Sequence, residues 1–387
     1  MQGGVGAFSE RLAQALAVMG HELHVISKRD ARPAPDVGGR VSVAQLRKPV
    51  QTEWGVLHPV ARNWRWGDVG QIAEIALRYD LDVLNIQYQA AAFNMHSAAM
   101  NLAPWRLRGL TPTVVTFHDL RVPYLFPKAG RLRQVAVRLA AQKSQGLIAT
   151  NAEDRQVLKK WATGDTRVAQ IPIGSNIRVH DLEEPTVAEA RRRLGVEDDA
   201  FLLGYFGFLN ASKGADLLVR ALAQLDANVH LVFIGGRTGS SDQKNNQRFA
   251  GSVEESARQL GIAQRVHWTG FLPDQELSTF LQAADVLAMP YRDGASLRRG
   301  TLMAALAHGR PVLSTEPLSH VAELVHGENL WLAARDEVVA LARAINGLQQ
   351  DEALRKKLAL GAKRLAAEFT WETIASRTAA FFKELVA

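Results

Sequence analysis

The sequence predicts an α/β protein made of two doubly wound domains, and three observations carry the prediction. Its 387 residues are more than one ordinary core organises, so two domains are the default. Short apolar runs alternate with longer amphipathic stretches, the pattern of parallel strands and the helices that cover them. One polar, charged stretch, SNIRVHDLEEPTVAEARRRLGVEDDA (175–200), interrupts that alternation and reads as the connection between the halves.

The first half opens on a glycine-rich turn, Gly3-Gly4-Val5-Gly6. A helix follows in which Phe8, Leu12, Leu16 and Met19 recur at helical spacing, with Gly20 as its C-cap. Strand-like runs come next: HELHVIS (21–27), DVLNIQY (82–88), TVVTFHD (113–119), GLIAT (146–150) and VAQIPIG (168–174). The second half repeats the pattern with AFLLGYFG (200–207), VHLVFIGG (229–236), RVHWTG (265–270), DVLAMPY (285–291) and PVLST (311–315). Helices are expected over 213–225, 274–283 and 300–308.

Composition narrows the chemistry. The chain is 47% hydrophobic and 22% charged, as a globular protein is. It has no cysteine, which excludes disulfides, thiolate metal ligands and a cysteine nucleophile. A net charge of +7 points to an anionic partner. Basic residues cluster at Arg106, Arg108, Arg121, Lys128, Arg131, Arg133, Arg138 and Lys143, with Asp119 the one acid among them. They read either as a solvated face or as a surface for anionic lipid. No apolar run is long enough to span a bilayer and no signal peptide is visible, so the expected setting is cytoplasmic, at most peripheral on the inner face of a membrane.

In doubly wound sheets, ligands bind beyond the carboxyl ends of the strands. The loops that matter are therefore 3–6, 87–96, 117–125, 207–213, 235–245 and 291–300. In GFLNASKGADLL (207–218) a strand turns into a helix near Lys213-Gly214, and a lysine beside free helix amides suits a diphosphate. The Walker spacing G-x-x-x-x-G-K-[ST] is absent. In YRDGASLRRGTLMAALAHGRPVL (291–313) a turn with Asp293, Gly294 and Ser296 leads to Arg298-Arg299-Gly300 and a helix ending at His308-Gly309. Two arginines at the positive end of a helix dipole are unfavourable without a partner, which favours an anionic ligand. In TFHDL (116–120), His118 and Asp119 follow a buried strand, placed either for a local hydrogen bond or for a hydroxylated substrate. No metal site is expected: Asp80-Leu81-Asp82 lies at a strand start, and His21 and His24 lack metal-ligand company.

Together, GGVG (3–6), the HD pair (118–119), IPIGSNI (171–177), GFLNASKG (207–214), VHWTGFLPDQELSTFLQAADVLAMP (266–290), GRPVL (309–313), HGENLWLAARD (326–336) and FTWETIASRTAAFFKEL (369–385) resemble glycosyltransferase family 4, in this order over nearly the whole chain. The resemblance implies the GT-B fold, with two Rossmann-like domains facing across a cleft. It divides the chain into an acceptor-side domain, 1–178, on which helix 369–387 packs back, and a donor-side domain, 179–368.

It also implies retaining, metal-independent transfer from a nucleoside diphosphate sugar to a glycan or glycolipid hydroxyl, with no cofactor and no nucleic-acid partner. Gly4 and Gly6 would admit the donor diphosphate, and Lys213 would neutralise it as it leaves. His118 would meet the sugar hydroxyls, oriented by Asp119, and Gly270-Phe271-Leu272 would lie against the base. Gly207, Phe208, Gly236, Asp293, Ser296, Arg298, Arg299, Gly300 and Thr301 complete the donor side; Gln87, Tyr88, Gln89 and His96 form the acceptor side.

Two departures mark a divergent subgroup. Phe208 stands where the family usually has arginine, and Ser296 and Ala304 stand where it has two glutamates. Losing a charge-assisted bond to a ribose hydroxyl costs roughly 1.5–3 kcal/mol if nothing replaces it. A sugar-nucleotide epimerase and a binding protein without turnover are the alternatives. In this fold a buried strand precedes a turn such as 3–6, with roughly 10–20 residues of strand and loop before it. The sequence therefore predicts that the first strand of the first sheet is missing and that the chain starts downstream of its natural start.

Overall fold

A computed structural model describes residues 4–29, 48–93, 98–120, 130–236 and 243–386. Contacts divide the chain into two compact units: Met1–Ile173 with Trp371–Ala387, and Gly174–Thr370.

The first unit opens with α1 (Gly4–Val18), β1 (His24–Lys28), β2 (Val50–Thr52), β3 (Gly55–Ala61), α2 (Trp66–Arg78) and β4 (Leu84–Tyr88). It continues through α3 (Ala98–Leu107), β5 (Thr113–Phe117), α4 (Gly130–Gln142), β6 (Gly146–Ala149), α5 (Ala152–Trp161) and β7 (Arg167–Gln170). Strands β4-β5-β6-β7 form one parallel sheet in that order. A second sheet has the order β1-β3-β2, with β1 parallel and β2 antiparallel to β3. Among the described residues no strand joins these sheets, and β1 and β4 each end one as an edge.

β5 and β6 are buried along their whole length, as apolar strands covered on both faces must be. Phe8, Leu12 and Leu16 of α1 bury against Val114, Ile148 and Ile171, as the helical spacing predicts. Met19 does not join them. It lies past the last turn of α1 and is 46% exposed. α1 begins by Gly4, so Gly4 and Gly6 belong to its first turn, where a loop was expected. Glycine costs little there because first-turn amides have no intrahelical acceptor.

The second unit begins with α6 (Glu184–Arg193), β8 (Phe201–Phe206), α7 (Ala215–Leu222), β9 (Val229–Ile234), α8 (Gln243–Gln259) and β10 (Val266–Trp268). Then come α9 (Asp274–Ala283), β11 (Val286–Met289), α10 (Gly300–Ala307), β12 (Val312–Thr315), β13 (Trp331–Ala333), α11 (Val338–Gln350) and α12 (Glu352–Ala366). Its parallel sheet has the order β10-β9-β8-β11-β12-β13. The order reverses direction between β8 and β11, and that is where an open α/β sheet presents its ligand crevice. The last helix, α13 (Trp371–Val386), belongs to the first unit and packs Ile374, Ala375 and Phe381 onto α1, β5 and β6.

Candidate functional site

The reversal point gathers several of the expected residues. β8 ends at Phe206, and Gly207 follows with φ +121°, a backbone conformation that side chains disfavour. A Cβ on Gly207 would lie 2.8 Å from Thr301 Cγ2 and 3.2 Å from Lys213 Nζ, so its hydrogen makes room for both. Lys213 closes a short 3₁₀ turn, Ala211–Lys213. Gly214, at φ +70°, then hands the chain into α7. A Cβ on Gly214 would collide with the carbonyl oxygen of Pro290, just past β11.

The charges here are out of balance. Among the described residues the Lys213 ammonium has no hydrogen-bond or ion-pair partner. Burial, and then the nearby Arg299, bring its pKa down from 10.5 to about 8. Arg299 pairs with Asp293 and lies 4.0 Å over the ring of Tyr291. Its Nε is nonetheless buried without a partner. The Tyr291 hydroxyl shares a 2.7 Å hydrogen bond with Thr301 Oγ1, and burial pushes the phenol up to about 12. The buried Tyr205 hydroxyl also lacks a partner. Among the described residues no side chain caps the first turn of α10, so its amides remain as donors beside Arg299 and Gly300. Two desolvated cations, an open helix N-terminus and spare donors fit a multiply charged anion.

Other expected donor-side residues have more local work. Ser296 Oγ accepts from Arg298 N and Nε at 3.4 and 3.3 Å, and its carbonyl accepts from Arg299 N at 3.0 Å. Ala304 is fully buried. Phe208 is 46% exposed and its ring lies against Gly236, 3.4 Å from where a Cβ would stand. Phe271 is 87% exposed, next to a bridge between Gly235 and Gly270, with Leu272 half-buried after it. Two exposed aromatics at the ends of β8 and β10 are available for stacking.

In the first unit, His118 and Asp119 follow β5 directly, both half-buried. His118 Nε2 lies 2.9 Å from Gln87 Oε1, and Phe8 meets the imidazole edge-on at 4.7 Å. Burial lowers the His118 pKa to about 4, so the ring is neutral at ordinary pH. Of the acceptor-side set, Gln87 and Gln89 are half-buried. Tyr88 is buried, its hydroxyl donating to Asn101 Oδ1 at 2.6 Å. His96 lies outside the described residues, as do Arg121 and Lys128. Arg106, Arg108 and Arg138 are exposed and Lys143 is half-buried; nothing is described of the Arg131 and Arg133 side chains.

Sequence reading missed Arg292, Tyr291 and Asp216, which organise the loop. Arg292 holds Asp216 through two bonds of 2.9 and 2.8 Å. Nothing in the sequence marked the pair, since the partners lie 76 residues apart. The sequence did not reveal the partner of His24: its Nδ1 lies 2.9 Å from His58 Nε2, because parallel pairing of β1 with β3 sets Ile26 beside His58. Among the described residues no group of three or more His, Asp or Glu side chains could hold a metal ion. Nor, among them, is any helix long and apolar enough to cross a membrane.

With this geometry in hand, comparison with known proteins defines the class. Residues 3–174 match the "Glycosyl transferase 4-like domain" family model, and residues 200–351 match "Glycosyl transferases group 1". The chain belongs to the GT4-like glycosyltransferases of GT-B fold. It is 29% identical over 246 residues to a D-inositol 3-phosphate glycosyltransferase of Corynebacterium urealyticum, covering 62% of this chain and 56% of that one. It is 25% identical over 403 residues to the enzyme of that name from Thermomonospora curvata, covering 97% and 89%. The match thus spans little more than half of the Corynebacterium relative's length. Among solved structures, Anabaena HepE in complex with UDP-glucose superposes with a TM-score of 0.75 at 21% identity, covering 99% of this chain and 97% of that one; this likeness is one of fold.

Proposed function

We propose that the protein is a retaining glycosyltransferase that moves a sugar from a nucleoside diphosphate sugar to a hydroxyl acceptor, in surface polysaccharide or glycolipid assembly. One observation carries the reading: the Lys213 ammonium is desolvated beside Arg299 with no anion of its own among the described residues. In transfer, the bond from the anomeric carbon to the diphosphate oxygen breaks and its electron pair leaves with the diphosphate. The acceptor oxygen bonds that carbon on the same face and passes its proton to the departing diphosphate oxygen. Charge grows on the leaving oxygen, and a preorganised cation is worth most there. Lys213 neutralises it, Arg299 and the α10 amides bind the rest of the diphosphate, and Thr301 and Gly207 line the approach. The neutral His118 meets the sugar hydroxyls and Phe271 and Leu272 lie against the base.

The protein represents a divergent subgroup in which Phe208, Ser296 and Ala304 replace an arginine and two glutamates, and Arg299 supplies the missing positive charge. The exposed Arg106, Arg108 and Arg138 offer a face to anionic lipid, which suits a protein at the cytoplasmic surface of a membrane. HepE was crystallised with UDP-glucose and the curated relatives are named for an inositol phosphate acceptor, so UDP-glucose and polyol hydroxyls are the first pair to try.

Incubation with UDP-, GDP- and ADP-sugars should release nucleotide slowly by donor hydrolysis. Tight nucleotide binding without turnover of any donor would instead support a binding protein. That reading draws on the lack of a carboxylate at Ser296 and Ala304.

A further inference from the structure

The turn that carries Lys213 is small and exposed at Ala211 and Ser212. Three residues of 3₁₀ helix do not fix a side chain by themselves. Among the described residues, both hydrogen bonds that reach this turn from a distant part of the chain come from Arg292. Its backbone N–H donates to Ser212 O at 2.9 Å and its Nη1 to Ala211 O at 2.7 Å. The same guanidinium grips both carboxylate oxygens of Asp216 in the first turn of α7, at 2.9 and 2.8 Å. Its Nε donates to Asp336 Oδ1 at 2.7 Å, at the approach to α11. The planar fork of arginine is thereby used on every side, a role lysine cannot copy.

The neighbouring residue works on the other cation. Tyr291 carries the Arg299 guanidinium on its ring and bonds Thr301 through its hydroxyl. Two successive residues after β11 thus fix the two halves of the cationic site, one reaching the Lys213 turn and one reaching Arg299.

We propose that Arg292 is a positioning residue: it sets the place of the Lys213 ammonium by pinning the 211–213 turn to α7 and to Asp336, without touching the donor itself. The inference rests on the reading of Lys213 as the group that meets the diphosphate. With the Arg292 side chain gone, the backbone bond to Ser212 O remains, but the turn loses the Nη1 bond to Ala211 O and its tie to Asp216 and Asp336, and the ammonium moves toward water. Two consequences separate this role from a general loss of stability. The Lys213 titration should rise from about 8 toward its ordinary 10.5, because burial is what lowers it. Turnover should fall roughly a hundredfold, the usual penalty for a catalytic group displaced by about 1 Å, with a smaller change in KM.

The test compares wild type with Arg292→Ala and Arg292→Lys, each first shown to be folded by its thermal melt. Lys213 is followed by NMR of ¹³C-methylated lysines, assigned with Lys213→Arg, and kcat and KM are measured with UDP-glucose. The expected result is an upward Lys213 titration and a lowered kcat in Arg292→Ala, with both changes only partly reversed in Arg292→Lys. If Arg292→Ala leaves the Lys213 titration in place, the proposal is overturned. Should Arg292→Ala not fold, Arg292→Lys alone decides by the same titration. If the titration moves but wild type turns over no sugar nucleotide, positioning by Arg292 stands and the transferase reading falls.

Discussion

Nε2 of His118 lies 2.9 Å from Oε1 of Gln87, so the amide oxygen at the end of β4 takes the hydrogen of the imidazole after β5. Nδ1 is then left with its lone pair, and in the proposed transferase the ring would meet the sugar as an acceptor. Replacing Gln87 with Glu puts a carboxylate against the ring and favours the imidazolium, raising the His118 pKa from about 4. The acid limb of kcat/KM in Gln87→Glu should move upward by about one unit or more. Gln87→Leu should lose rate without moving that limb. A pH profile of Gln87→Glu superimposable on wild type would refute the assignment.

Lys213 is held at a cost to stability. Its folded pKa of about 8 lies below the ordinary 10.5, so between those values the unfolded chain binds the extra proton and stability rises with pH. Below pH 8 the ammonium stays charged in a partly dry site. Lys213→Met should therefore stabilise the free protein at pH 7, on the order of 1–3 kcal/mol, while removing roughly 10²–10³-fold of turnover. Urea denaturation and donor hydrolysis measure the two effects side by side. A variant less stable than wild type would show that the ammonium is better solvated than the geometry implies.

Histidine pairs set the acid limit of stability. His24 with His58, and His230 with His267, each bring ring nitrogens to 2.9 Å across adjacent parallel strands. Burial and then the partner imidazole hold His58 below its usual value and bring His267 to about 4. Burial also lowers His230, followed by the fields of Arg265 and Arg191. These groups bind protons more readily unfolded than folded, so stability is present above pH 6.5 and is lost as pH falls toward 4. The urea midpoint should drop between pH 7 and 4.5, and His267→Gln should flatten that slope. Parallel slopes in wild type and His267→Gln would exclude the pair as a source.

Gly214→Ala tests the hinge between the Lys213 turn and α7. The position combines φ +70° with a Cβ that would collide with the Pro290 carbonyl, so neither strain nor clash can be relieved locally. A loss of about 2–4 kcal/mol is expected from the two effects together. Differential scanning calorimetry checks it. A melting temperature within a degree of wild type would mean that β11 yields.

The sequence made the sheets legible because the strands of a covered parallel sheet are nearly all apolar, as in TVVTF of β5 and VLAM of β11. Turns were legible where glycine is obligatory, as at Gly207 and Gly214. Helix starts were less so. A run of glycines reads as a loop, yet Gly4 and Gly6 stand within α1, because glycine is inexpensive in a first turn. Long-range polar pairs were not legible at all. Arg292 looks like any loop arginine until folding brings Asp216 and Asp336 to it, and His24 looks solitary until β3 pairs beside β1. Motif spacing records which loops reach the end of a sheet, whereas the braces that hold those loops come from remote segments.

The chain leaves the first unit at Ile173 and returns to it with Trp371. The core between α1 and the four-stranded sheet uses Ile374, Ala375, Ala379 and Phe381 of α13. A ribosome makes this helix after every residue of the second unit. During synthesis, the second unit has all its own residues before the first unit has the helix that closes it. Until α13 emerges, Phe8, Val114 and Ile148 have no cover on that side, and it is then that a chaperone or protease would find the nascent chain most accessible.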